Sequence, residues 1–178
     1  MEGITVNNPK ISILNSSYST FNIVNVENLS QNLSDGVFYG SGAIVNPGRF
    51  DKYRIYLAGA NPGPAESAEL RFGLYDSNFL LIREGSLLID QSTALNEYKD
   101  FSIQLLELSQ PTVLYFVLGK NDEIGNLSIR CPRIDSNGTP NSDIIFDFNH
   151  PAGALPSDIS GIRTTGNRVF YNAIYKID

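Results

Sequence analysis

The sequence predicts an all-β fold, a two-sheet antiparallel β-sandwich, and three observations point to it. At least ten short segments of strand character recur along the 178 residues, separated by Gly, Pro, Asn and Asp. No segment sustains the 3.6-residue apolar period of an amphipathic helix. One run, Thr112–Leu118, is apolar on both faces, as a central strand covered on both sides must be.

Taken in order, the first strand candidates are Lys10–Leu14, Phe21–Val26, Gly36–Tyr39 and Ala43–Val45, the last ending at the turn Asn46-Pro47-Gly48. Tyr53–Leu57 follows, where Tyr53, Ile55 and Leu57 alternate with Arg54 and Tyr56 in the period of a half-buried strand. After the break Asn61-Pro62-Gly63-Pro64 comes Glu69–Tyr75, with Leu70, Phe72 and Leu74 on one side. Asp76-Ser77-Asn78 turns the chain into Phe79–Arg83, and Ser86–Ile89 and Tyr98–Leu105 come next. Beyond Thr112–Leu118 lie Leu127–Arg130, Ile144–Phe148 and Arg168–Ile177. Single helical turns are expected at most at Ala65–Glu69, Ser92–Glu97 and Pro156–Ile159. The whole chain, 1–178, reads as one domain, with residues 1–45 as an N-terminal extension or attachment segment.

Composition narrows the function. Hydrophobic residues make up 42%, enough for a core, while charged residues are only 18% and Asn, with 18 copies, supplies turn-forming polarity. The net charge of −6, with Lys and Arg scattered, repels a phosphate backbone, so no nucleic-acid partner is expected. No membrane insertion is expected either, because the longest apolar run, Val113–Leu118, has six residues. The first residues carry no secretory signal pattern, and a single Cys131 cannot form an intramolecular disulfide. Both fit synthesis in a reducing cytoplasm.

The residues that could carry chemistry are few, and the expectation is a non-enzyme. His150 alone would have to serve any Ser–His–Asp triad, no nucleophile elbow is present, and one Cys and one His cannot build a zinc site. Cys131 lies between Arg130 and Arg133 but without an evident base. A carboxylate-pair hydrolase would draw on Asp143 and Asp147, four apart on one strand face with apolar Ile145 between them, or on Glu66 and Glu69. Asp135-Ser136-Asn137-Gly138 looks like the opening of a calcium loop but lacks the distant bidentate Glu; Asp135 and Asn137 would be its ligands, and an Asx turn explains the same residues. Calcium is the one cofactor under consideration. Asp122-Glu123 is a weaker oxygen cluster, and Gly40-Ser41-Gly42 has no helix after it to cradle phosphate. Five sequons, at Asn15, Asn28, Asn32, Asn126 and Asn137, are expected to stay unmodified without a signal. Nine Tyr and no Trp leave Tyr as the surface-recognition residue. Tyr53, Tyr115 and Tyr171 are expected in the core; Tyr18, Tyr39 and Tyr75, at loop or turn edges, are the ligand-binding candidates together with Asn137.

The stretch Leu70–Asn78, with Phe79–Arg83 after it and Thr112–Leu118 further on, resembles the core of jelly-roll β-sandwich domains of tailed-phage virion surface proteins: capsid decoration, fibre-head and receptor-binding subunits. The likeness spans roughly residues 50–120, and its matching positions are structural, so no functional residue is carried over. It implies a jelly-roll topology and a virion structural protein displayed on the particle surface after synthesis in the host cytoplasm. The implied partners are further copies of itself, with a trimer as first expectation, and another virion protein. A lectin-like module binding host-surface glycans is the alternative.

Overall fold

The computed structural model describes residues 11–13, 30–34, 36–61, 68–90, 92–93, 96–121, 126–130, 145–150, 154–165 and 172–177. These residues are all-β, with no helix among them. The strands are β1 (Ile11–Ile13), β2 (Ser30–Asn32), β3 (Val37–Val45), β4 (Gly48–Asn61), β5 (Ala68–Tyr75) and β6 (Leu81–Ile89), then β7 (Glu97–Leu108), β8 (Thr112–Asn121), β9 (Asn126–Arg130), β10 (Ile145–Asn149), β11 (Thr164–Thr165) and β12 (Asn172–Ile177). They form two sheets. The first runs β1-β12-β4-β9-β2 with β7 also on β4, and the second runs β11-β10-β3-β8-β5-β6. Leu57 pairs with Glu97 of β7 and with Ile129 of β9, so β7 lies along one side of β4 while β12 and β9 share the other. The antiparallel pairs β3·β10, β4·β9 and β5·β8 are nested, with β6 and β7 innermost.

Several expected elements change. Gly36–Tyr39 and Ala43–Val45 fuse into the single strand β3, and the segments around Arg83 and Ser86 fuse into β6. Phe79 belongs to the preceding turn instead of to the strand. β3 lies between β10 and β8, so residues 37–45 are inside the second sheet and not part of an extension. Glu69 and Glu97 are strand residues, and Pro156–Ile159 is not helical, with a bend at Ser157 and Asp158 bridging Leu80. The short strands β2 and β11 were not expected, and Phe21–Val26 lies outside the described residues.

One apolar cluster joins the sheets. Phe50, Tyr53, Ile55 and Leu57 of β4 and Ile103 and Leu106 of β7 meet Tyr39, Leu70, Phe72, Leu74, Leu114 and Phe116 of the second sheet. Tyr53 stacks on Phe72 with ring centroids 4.5 Å apart, and Phe116 lies 5.9 Å away. Each such side chain, fully removed from water, contributes about 1.5–3 kcal/mol before entropy is charged against it. This arrangement, two sheets packed face to face, is sandwich-like. A second apolar cluster covers the opposite face of the second sheet: Phe38, Tyr75, Tyr115, Val117, Phe146 and Phe148 with Phe79, Leu155 and Ile159. The two-faced apolar pattern of Thr112–Leu118 follows from this, since Leu114, Phe116 and Leu118 enter one cluster and Tyr115 and Val117 the other.

Glycines set how closely the rings approach the sheet. Gly40 faces Phe146 across the ladder, Gly42 faces Tyr115, Gly119 faces Phe38 and Gly85 faces Phe72. In each pair the ring lies over its own cross-strand glycine: a Cβ added at Gly40 would sit 2.2 Å from Phe146, and one at Gly119 2.3 Å from Phe38. A ring folded over the glycine opposite it shields that backbone and fixes the register, since a slipped strand would place the ring on a Cβ.

Candidate functional site

The second apolar face and the segment that covers it form the most elaborated surface feature among the described residues. The chain leaves β10 at Asn149 and returns to pair with β10 as β11, where Thr164 faces Asp147. Both ends are fastened. The His150 N–H donates to the Gly36 carbonyl at 2.9 Å and its ring Nε2 meets the Ala154 carbonyl at 2.9 Å. At the other end the Thr164 hydroxyl donates to Asp147 Oδ1 at 2.6 Å. A loop whose ends meet on one strand in this way is of the Ω type.

Between those ends, Leu155 and Ile159 are buried while Ser157, Asp158, Ser160, Gly161 and Ile162 are exposed. Leu155 is seated where the sheet has no side chain: its Cδ1 lies 2.7 Å from the position a Cβ on Gly73 would take. Main-chain and side-chain hydrogen bonds add to this. The Tyr75 hydroxyl donates to the Pro156 carbonyl (2.9 Å), Leu81 N–H to Ser157 O (2.9 Å) and Ile159 N–H to Phe79 O (3.2 Å).

The turn Asp76–Leu80 is the other half of the feature. Asp76 Oδ1 accepts from the N–H groups of Asn78 and Leu80 at 2.8 and 3.0 Å, an Asx turn that the Asp-Ser-Asn sequence encodes. It delivers Phe79 with φ +64°, a left-handed conformation unusual for a bulky residue. The Phe79 ring stacks on Tyr115 at 4.3 Å, stands edge-on to Phe146 at 5.8 Å, and carries the Arg163 guanidinium 3.6 Å above its centroid. Burial first, and Glu84 nearby second, push the Tyr75 hydroxyl pKa well above its ordinary 10.0. The Asp158 carboxyl is held below its usual range by the N–H and hydroxyl of Ser160. Asp90 is likewise lowered by Ser92 and Thr93 in the turn after β6. The stacking faces and main-chain groups of this feature are engaged by the chain's own segment 154–163.

The residues expected to bind ligand are distributed differently. Tyr39 and Tyr75 are 4% and 0% exposed, which corrects their assignment to the surface: Tyr39 points into the core between the sheets and Tyr75 into the second cluster. Neither ring offers a stacking face to a sugar. Tyr18, Asp135 and Asn137 lie outside the described residues, as do Cys131, Glu66, Asp122, Glu123, Asp143 and Tyr171. Of the paired carboxylates, Asp147 is tied to Thr164 and Glu69 to Arg71 (2.9 Å). His150 packs edge-on against Phe38 at 6.3 Å. Ser41, within the suspected Gly-Ser-Gly loop, is buried in β3 with an unpaired hydroxyl. Among the described residues no three His, Cys, Asp or Glu side chains come together as metal ligands.

Sequence reasoning passed over Phe79, Phe146, Leu155, Ile159 and Arg163. A signal existed: a strand apolar on both faces needs a second cover, and Leu155 and Ile159, four apart in a segment with no other role, supply it. No family model, curated protein or solved structure matches this chain.

Proposed function

We propose that this chain is a non-enzymatic structural subunit displayed on a virion surface, of the capsid-decoration or fibre-head kind, which associates with copies of itself. The observation that carries the reading is where its polar side chains go. Asp76, Asp90 and Asp158 fold back on the turns that contain them. Arg49 pairs with Glu107 and Arg71 with Glu69, each at 2.9 Å. The Arg83 guanidinium donates to the Gln104 and Leu105 carbonyls of β7, at 2.9 and 2.7 Å, where the register of β7 on β4 slips. These groups brace a scaffold and do not converge on a reacting point.

Two further features support the reading. The nested pairs β3·β10, β4·β9 and β5·β8 are those of one long hairpin rolled upon itself, the jelly-roll plan, which we take as the topology. Large apolar side chains also remain outside, with Leu88 on the edge strand β6 at 60% exposure, and a neighbouring subunit would cover them. Light scattering after size exclusion tests this. A single discrete oligomer, about three copies on the resemblance, is expected. A monomer at every concentration would overturn self-association, and with it the fibre-head role.

A further inference from the structure

We propose that segment 154–163 is a releasable latch, opening together with the turn Asp76–Leu80 as one unit while the two sheets stay folded. The topology permits it, because the loop leaves β10 and returns to β10; lifting it unzips neither sheet. Its grip is narrow. Leu155 and Ile159 are its buried anchors, with Arg163 laid over Phe79, and Ser157, Asp158, Ser160, Gly161 and Ile162 face solvent.

The loop and the turn also depend on each other. Phe79 holds a backbone conformation (φ +64°) that a bulky residue keeps only when its surroundings impose it. The loop is part of those surroundings: Ile159 N–H is bonded to the Phe79 carbonyl, Leu81 N–H to Ser157 O, and Asp158 bridges Leu80. Loss of either half therefore removes the support of the other. The face beneath has its own support, since Phe38, Tyr115 and Phe146 lie on cross-strand glycines of β3 and β8. Opening would uncover Tyr75, Tyr115 and Phe146 as a preformed aromatic surface, and sub-global opening of such a unit is separable from global unfolding.

Native-state hydrogen exchange on the full chain tests this, with denaturant raised below the unfolding transition. The amides of Phe79, Leu81, Ile159, Ile162 and Arg163 are expected to share one opening, about tenfold or more less protected than Leu114–Leu118, with a common denaturant slope that is above zero and below that of global unfolding. Leu155→Ala should accelerate that whole set by a common factor of about 30 or more. Ile159→Ala should accelerate the same set, which guards against a local effect at Leu155. Exchange of these amides only with β8, or at unrelated rates that the two variants change separately, would overturn the latch.

Discussion

Substituting Gly40 by Ala tests whether the aromatic rings rest directly on the sheet. The added Cβ would stand 2.2 Å from Cε2 and Cζ of Phe146 and 2.8 Å from Cδ2. Carbon atoms pack at about 3.5–4.0 Å, so the ring must withdraw by roughly 1.3 Å or more. It has little room. Phe79 stands edge-on to it at 5.8 Å, Tyr115 is tilted against it at 5.7 Å and Phe148 stacks at 6.5 Å. Overpacking of a filled core costs about 1–3 kcal/mol, and the boxed ring puts this case at the upper end, about 3 kcal/mol. For a chain of this length that lowers Tm by roughly 6–12 °C.

A double-mutant cycle with Phe146→Ala separates the clash from any intrinsic cost of the substitution. Phe146→Ala alone should cost about 3–5 kcal/mol through lost burial and a cavity. In that background Gly40→Ala should be neutral or favourable, because Ala loses less conformational freedom in a strand than Gly by about 0.5–1 kcal/mol. Gly161→Ala is the control, since nothing lies within 4 Å of a Cβ there. Urea unfolding of the set gives the numbers. Equal costs for Gly40→Ala in both backgrounds, or a cost below about 0.5 kcal/mol in the parent, would refute the ring-on-glycine packing.

Three further outcomes are expected. Ser41→Ala should stabilise the protein by about 1 kcal/mol in urea unfolding, because it removes a buried hydroxyl that has no partner; a loss of stability would mean the hydroxyl is bonded. Arg83→Met keeps the aliphatic stem but frees the Gln104 and Leu105 carbonyls, and should cost about 1 kcal/mol with an unchanged denaturant slope, water taking part of the load at this half-exposed site. Alkaline pH should destabilise the protein. Burial raises the Tyr53 and Tyr75 hydroxyls well above their ordinary 10.0, so the unfolded chain loses protons near pH 10 that the folded chain keeps. Stability is then full below pH 10 and falls as pH rises beyond it. Tyr53→Phe should flatten that limb in a series of Tm measurements, and an unchanged slope would count against the assignment.

The β character of the chain and most strand positions were legible because period-2 alternation survives in segments such as Tyr53–Leu57 and Leu70–Leu74. What misled was glycine. Gly40-Ser41-Gly42 and Gly85 read as breaks, yet each of these glycines lies within a strand as a seat for the ring opposite it. The false break after residue 39 also made Tyr39 look like an edge residue, and so a ligand candidate. Tyr75 was misplaced for a related reason. It does precede a turn, but the 154–163 loop closes over that turn, and no local pattern announces a cover lying some 80 residues away. The partnership of Asp76–Leu80 with Leu155–Arg163 is a long-range fact: the two-faced apolarity of Thr112–Leu118 calls for a second cover without saying that it closes over this turn.

Those same contacts decide which surfaces are left for a partner. A sandwich ordinarily offers the outer faces of both sheets. Here much of the second sheet's outer face is closed by the aromatic cluster and its loop, and its remainder carries the Glu69–Arg71 pair beside Leu88. Burial of Tyr75, Phe79 and Phe146 in the chain's own second layer removes the aromatic residues best suited to recognition from the closed surface. On the proposed self-association, a neighbour would meet either surface that is already exposed, including the rim where Leu80, Leu88, Leu105 and Ile162 stand out, or a face that exists only once the loop lifts. The two cases differ in kinetics. Association at the rim needs no rearrangement, and its rate rises with concentration without limit set by the chain; association at the covered face cannot outrun the opening of the latch. Stopped-flow assembly rates that level off with concentration, at a ceiling raised by Leu155→Ala, would place the interface under the loop.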